Sequence, residues 1–181
     1  MIIEKIDDKG DLFSVKDVLP NDVLESLAKE VLEALPHTKQ GWQESFDRRL
    51  IAQLPGSVFQ QITETIGAHK QKIGEAIGRN VHKLSTAFWF DTEGFNMGNH
   101  IDNPGVETVM QIYLTNCDGL GTVFYDINES DVEDRDDQQR WHYIGKDPKV
   151  RKEFSFTKNT GYLMQNHRFG NPPCTPLPGE G

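Results

Sequence analysis

Along residues 21–35 (NDVLESLAKEVLEAL) the apolar positions Val23, Leu24, Leu27, Val31, Leu32 and Leu35 recur at helical spacing. That spacing gathers them into one stripe that a core can bury. Asn21 or Asp22 can cap the free N–H groups at the start, and Pro20 and Pro36 bracket the run. A second helical pattern covers 56–77, with Val58, Ile62, Ile66, Ile73 and Ile77 on one face and Gly67 as its weak point. From residue 82 the period changes to two, the signature of strands. HKLSTAFWFD (82–91), ETVMQIYLTN (107–116) and GTVFYDI (121–127) each read as a strand. The Asp-Gly pair within 116–120 (NCDGL) predicts a tight hairpin joining the last two. Shorter strands are expected at 141–144, 154–156 and 161–165, and 128–140 (NESDVEDRDDQQR) reads as a solvated loop. Phe88, Trp89 and Phe90 read as core residues.

Helices first and short strands afterwards predict an α+β protein whose antiparallel sheet closes into a sandwich or roll. A length of 181 residues fits one domain over 1–181. In it 1–80 is mostly helical support and 81–181 is the sheet core. A formal charge of −9 works against a nucleic-acid partner, because phosphate contacts need a basic surface to release counterions. No apolar run approaches the ~20 residues that span a bilayer. The opening MIIEKIDDKGDLF carries acids where a secretory leader carries bases. A soluble, cytoplasmic protein with no membrane partner is therefore expected. Cys117 and Cys174 show no metal or redox spacing and read as two reduced thiols.

The sharpest chemical feature is Asn99-His100-Ile101-Asp102-Asn103-Pro104. In an extended segment residues i and i+2 share a face, so His100 and Asp102 can grip one ion. A second histidine would complete a two-histidine, one-carboxylate triad, which leaves coordination positions open and favours non-haem iron(II). A lone His-x-Asp is more often a surface turn or an ion pair. Here it follows a Gly/Asn-rich stretch between two strands, a common setting for ligand-binding groups. His37 and His69 fall on or beside helices, and His82 precedes a strand. The remaining candidates are His142, within Trp141-His142-Tyr143, and His167. His167 is preferred because it ends a strand-like run (161–166), as His100 sits at a strand–loop boundary.

His-x-Asp, a strand, a Gly-containing turn, another strand, an insert and a Gly-x-Leu strand ending in His together resemble the prolyl 4-hydroxylase-like 2-oxoglutarate/iron(II) oxygenases. The likeness covers about 82–181: HIDNP then QIYLTN resembles the metal motif and the strand after it, GLGTVFYD the next strand, and NTGYLMQNH the strand that delivers the second histidine. The resemblance implies a double-stranded β-helix (a cupin-like jelly roll) with N-terminal supporting helices. It implies iron(II) held by His100, Asp102 and His167, with Tyr113 contacting the 2-oxoglutarate carboxylate. It also implies O₂ as oxidant, ascorbate as a supporting reductant, and hydroxylation of a prolyl, another protein side chain or a small molecule.

One departure stands out. The family places an arginine or lysine shortly after the second histidine to pair with the far carboxylate of 2-oxoglutarate, a task suited to a charged fork. After His167 the chain reads RFGNPPCTPLPGEG, where Arg168 follows too closely to share the right face. The sequence reading is of a roll lacking its last strand, as in a truncated piece of a longer protein. A non-catalytic metal-binding roll and a zinc hydrolase using the same triad are the alternatives.

Overall fold

The computed structural model describes residues 1–34, 39–40, 49–51, 56–91, 95, 100–101, 106–126, 132–135, 141–143 and 148–166. The chain divides into two compact units. Unit 1 combines Met1–Val18, Lys72–Asn80 and Asn99–Gly181; unit 2 combines Leu19–Gln71 and Val81–Gly98. Helices and sheets are mixed, every described strand pairing is antiparallel, and the ladders among the described residues are separate.

Unit 1 begins with a hairpin absent from the sequence reading: β1 (Ile2–Lys5) pairs with β2 (Leu12–Lys16). Its six-residue turn is acidic apart from Ile6, Lys9 and Gly10, with Lys9 N–H donating to Asp7 Oδ1 at 3.0 Å and Gly10 at φ 73°. Only a glycine takes that left-handed backbone at little cost. β2 then pairs with β12 (Thr160–Gln165), and β12 with β7 (Thr108–Tyr113), giving the order β1-β2-β12-β7. Gly161 sits where β12 is flanked on both sides, opposite Val15 and Ile112, and a Cβ there would overlap the Gln111 carbonyl.

The second layer is the pair β8 (Cys117–Asp126) and β11 (Lys149–Phe156). The expected hairpin between 107–116 and 121–127 is thus corrected, since β7 pairs with β12 and β8 with β11. Asp118-Gly119 is absorbed in an irregularity instead. Gly121 faces Ser155 while Cys117 faces Phe156, so four steps on β8 match one on β11, with Gly119 at φ 72° inside the bulge.

Leu12, Tyr113, Phe154 and Tyr162 form a buried cluster, with Ile6, Val109, Phe124, Phe156 and Met164 packed against it. These side chains come from both the four-stranded ladder and the β8–β11 pair, so the cluster is the interior between two layers. Its rings meet edge-on or tilted, Phe124 against Tyr162 at 4.8 Å and Tyr113 against Phe156 at 4.7 Å, as aromatic quadrupoles favour. Arg151 on β11 holds the layers together at one end. Its Nε and Nη2 donate to the two Asp7 oxygens at 2.7 and 2.8 Å, and its guanidinium also bonds Asp11. Lys9 adds an ion pair to Asp126 at 2.6 Å. The third ladder of this unit is β6 (His100–Ile101), β10 (Trp141–Tyr143) and β9 (Val132–Arg135), so part of the acidic 128–140 segment is a strand.

The helical stretch expected over 56–77 is two helices, α2 (Gly56–Gly67) and α3 (Lys70–Ile77). They part just after Gly67, where His69 N–H tightens onto the Ile66 carbonyl at 2.9 Å. α3 closes with Gly78 at φ 69° and Arg79 N–H reaching back to the Gly74 carbonyl, the glycine-capped ending of many helices.

Unit 2 holds α1 (Asn21–Ala34), α2 and the short ladder β3 (Lys39–Gln40), β4 (Arg49–Ile51) and β5 (Trp89–Asp91). Val23, Leu24 and Leu27 of α1 and Ile62 and Ile66 of α2 are buried, as the apolar stripes require. The Pro20 carbonyl receives the Leu24 N–H at 3.0 Å, so α1 begins where the proline predicts. The strand expected over 82–91 is reduced to β5, and Trp89 is 42% exposed rather than a core residue. Period two on a three-residue strand turns Trp89 and Asp91 outward and leaves Phe90 half-buried.

Candidate functional site

Tyr113 is the last residue of β7, in register with Thr160 of β12. Alternation puts Val109, Gln111 and Tyr113 on the face turned towards β8 and β11. The ring is buried in the cluster, and its hydroxyl donates to Thr122 Oγ1 on β8 at 2.8 Å. Burial pushes its pKa from 10.0 to about 12, a rise that the Thr122 hydrogen bond only partly offsets. The phenol is therefore a neutral hydroxyl, able to donate to a carboxylate without repelling it. Tyr162 places a second hydroxyl on the same face, donating to Gln111 Oε1 at 2.8 Å.

His100 opens β6, whose partner is β10. The register sets Trp141 opposite Ile101 and His142 opposite His100. His100 and His142, the latter the candidate passed over in favour of His167, are thus cross-strand partners. Asp102 and His167, the other two expected ligands, lie outside the described residues. His37, Cys174 and Arg168 also fall outside them. His82 lies on an irregular stretch whose carbonyl accepts from Lys70 Nζ, and His69 sits half-buried at the break between α2 and α3. Among the described residues no group of three or more His, Cys, Asp or Glu could hold a metal ion.

The donor set expected from the sequence, two histidines and one carboxylate, is of a kind that iron(II) takes. Neutral imidazoles and one carboxylate are the ligands it takes in open, oxygen-accessible sites. Thr122 is the neighbour of Tyr113 that the sequence did not single out; a threonine in a strand looks like any β-former. Two arginines also escaped the reading. Arg151 is engaged by Asp7 and Asp11 through its Nε, Nη1 and Nη2. Arg79 pairs with Glu107 at 3.4 Å, and its Nη2 is buried without a hydrogen-bond partner. Glu107 precedes β7, whereas Tyr113 ends it. At about 3.3 Å per residue the two positions stand roughly 20 Å apart, too far for Arg79 and Tyr113 to share one small carboxylate.

No helix among the described residues is long and apolar enough to cross a membrane. Comparison with protein-family models, curated proteins and solved structures finds no match to this chain.

Proposed function

We propose that this chain is a non-haem iron(II) dioxygenase that couples oxidative decarboxylation of 2-oxoglutarate to hydroxylation of a substrate. The reading takes the site to be His100, Asp102 and His167 around iron(II), in a double-stranded β-helix, with Tyr113 reaching the co-substrate. The observation that carries it is the Tyr113 hydroxyl, buried between two antiparallel layers and donating to another neutral hydroxyl, that of Thr122. That is the register at which the resemblance expects a hydrogen-bond donor for a carboxylate. β7 is also an edge of its ladder among the described residues, so a further strand bearing a basic anchor could pair beside Tyr113.

Bound iron(II) would supply O₂ activation, with one oxygen atom leaving in succinate and the other entering the substrate C–H bond, and CO₂ released. The protein's part is to orient. Tyr113 would turn its O–H from Thr122 to a co-substrate carboxylate, and Thr122 would then donate to the tyrosine oxygen. The surrounding Phe124, Phe154 and Phe156 keep water from competing for that bond. The same reading places the protein in the cytoplasm, where its two cysteines stay reduced.

The test is anaerobic addition of iron(II) and 2-oxoglutarate, watching for the metal-to-ligand charge-transfer absorption, followed by O₂ and a succinate assay. A band that appears with both components and yields succinate supports the dioxygenase. Absence of both signals from folded protein would defeat it.

A further inference from the structure

We propose that Arg79 anchors a carboxylate-binding site in unit 1, for which the Glu107 side chain is the built-in competitor. The site does not depend on the dioxygenase reading. Arg79 stands just past α3, where Gly78 turns the chain and the Arg79 N–H reaches back to the Gly74 carbonyl. Its side chain is 11% exposed, and Nη1 donates to Glu107 Oε2 at 3.4 Å. Nη2 is buried and makes no hydrogen bond. A buried donor left unserved is rare enough to call for a partner. The segments that Arg79 joins do not supply one. Gln165 Nε2 already donates to the Ile77 carbonyl at the end of α3, at 3.2 Å. The Asn166 N–H and Nδ2 donate to the Glu107 and Val106 carbonyls just before β7, at 2.9 and 2.8 Å.

A guanidinium keeps its charge at any working pH, so a nearly buried one needs negative charge as well as acceptors. Water fills the hydrogen bond without meeting the charge. Glu107 meets the charge only weakly, because the contact is long and its side chain is 76% exposed. The Nη1–Nη2 edge of the planar fork presents two parallel N–H groups, which one carboxylate accepts together. An incoming carboxylate takes both, and Glu107 swings into the water it already faces. Exchanging one carboxylate for another keeps the charge balance at Arg79. A phosphate dianion brings a second negative charge beside Glu107, which disfavours it.

Sodium acetate is the probe, titrated into the full-length chain and its E107Q and R79K variants, with sodium chloride at matched ionic strength as reference and inorganic phosphate as rival. Thermal midpoints report binding in every variant. In the parent and E107Q the Arg79 Nε–H resonance, identified by its loss in R79K, reports it directly by NMR. Acetate should move that resonance saturably. E107Q should bind acetate about two- to fivefold more tightly, the worth of the exposed ion pair it removes. R79K keeps the charge but loses the fork, and should bind about tenfold more weakly. Equal midpoint shifts in the parent, E107Q and R79K would mark a general salt effect and end the proposal. So would a folded E107Q whose Arg79 resonance ignores acetate, since that variant removes the competitor and leaves the guanidinium intact. If R79K fails to fold, the E107Q resonance decides alone. Tighter binding of phosphate than of acetate would overturn the carboxylate as the ligand.

Discussion

The properties of Tyr113 follow from its position. The sequence marked it only because it lies in a strand downstream of His-x-Asp; by itself a strand tyrosine is most often packing. What the sequence could not convey is its partner. Thr122 is nine residues away on a strand whose pairing the Asp-Gly signal misplaced. Burial gives Y113F two readouts. With a folded pKa of about 12 against an ordinary 10.0, the phenol stays protonated in the folded state while the unfolded chain ionises. Its contribution to stability is therefore intact below about pH 10 and is lost as pH rises towards about 12. Y113F should abolish that alkaline component, seen as a shallower fall in stability across the same window. At neutral pH it should cost about 0.5–1.5 kcal/mol, the net worth of one hydrogen bond. If Tyr113 meets the co-substrate, the KM for 2-oxoglutarate also rises by about tenfold (one hydrogen bond of ~1.4 kcal/mol). An unchanged KM with the alkaline effect present would leave Tyr113 a packing residue.

Among the elements, α1 and β7 were read almost to their ends, because a continuous stripe and a clean alternation leave no competing pattern. β1 and β2 escaped, being two short runs split by an acidic turn, and their order depends on a residue far away in sequence. Arg151 supplies it: it is 12% exposed and bonded to Asp7 and Asp11, on the turn that joins the two strands. Hydrogen bonding to Arg151 holds the Asp7 pKa below its ordinary 3.8, so this pair stabilises the fold above about pH 4 and fades as pH falls through the lowered value. R151M should destabilise by about 1–3 kcal/mol at pH 7, less than a fully buried pair because both carboxylates keep partial access to water. The gap between R151M and the parent should narrow in acid, measured as urea midpoints at pH 7 and pH 3. Gly161 makes a steric claim of similar weight. A Cβ there runs into the Gln111 carbonyl in a strand flanked on both sides, so the ladder must part to admit it. G161A should cost about 3 kcal/mol, the upper end for overpacking, whereas G56A, whose Cβ meets nothing within 4 Å, should cost little or even stabilise. Equal midpoints for the two variants would refute the close approach.

At the scale of the whole chain, a mixture of helices and antiparallel strands was legible, but the change of period at residue 82 did not divide them, since β1, β2, β3 and β4 precede it. The pairing of strands was not legible, because alternation says which face a residue takes but not which neighbour a strand chooses. The same limit applies to the proposed ligand set. Sequence order favoured His167 because it ends a strand, as His100 borders one, while the β6–β10 register made His142 the cross-strand neighbour of His100. Ligand linkage offers a test that does not depend on the substrate. Anything that binds the folded chain and not the unfolded one stabilises it by RT ln(1 + [L]/Kd), about 2.7 kcal/mol at a hundred times Kd. Iron(II) alone should raise the thermal midpoint of the anaerobic protein. On the proposed function, 2-oxoglutarate should add a further shift only when the metal is present, because its keto acid end would bind through the ion. In Y113F the metal shift should persist while the 2-oxoglutarate increment shrinks. An increment from 2-oxoglutarate without metal would place the acid elsewhere on the protein, and equal increments in Y113F and the parent would remove Tyr113 from its binding.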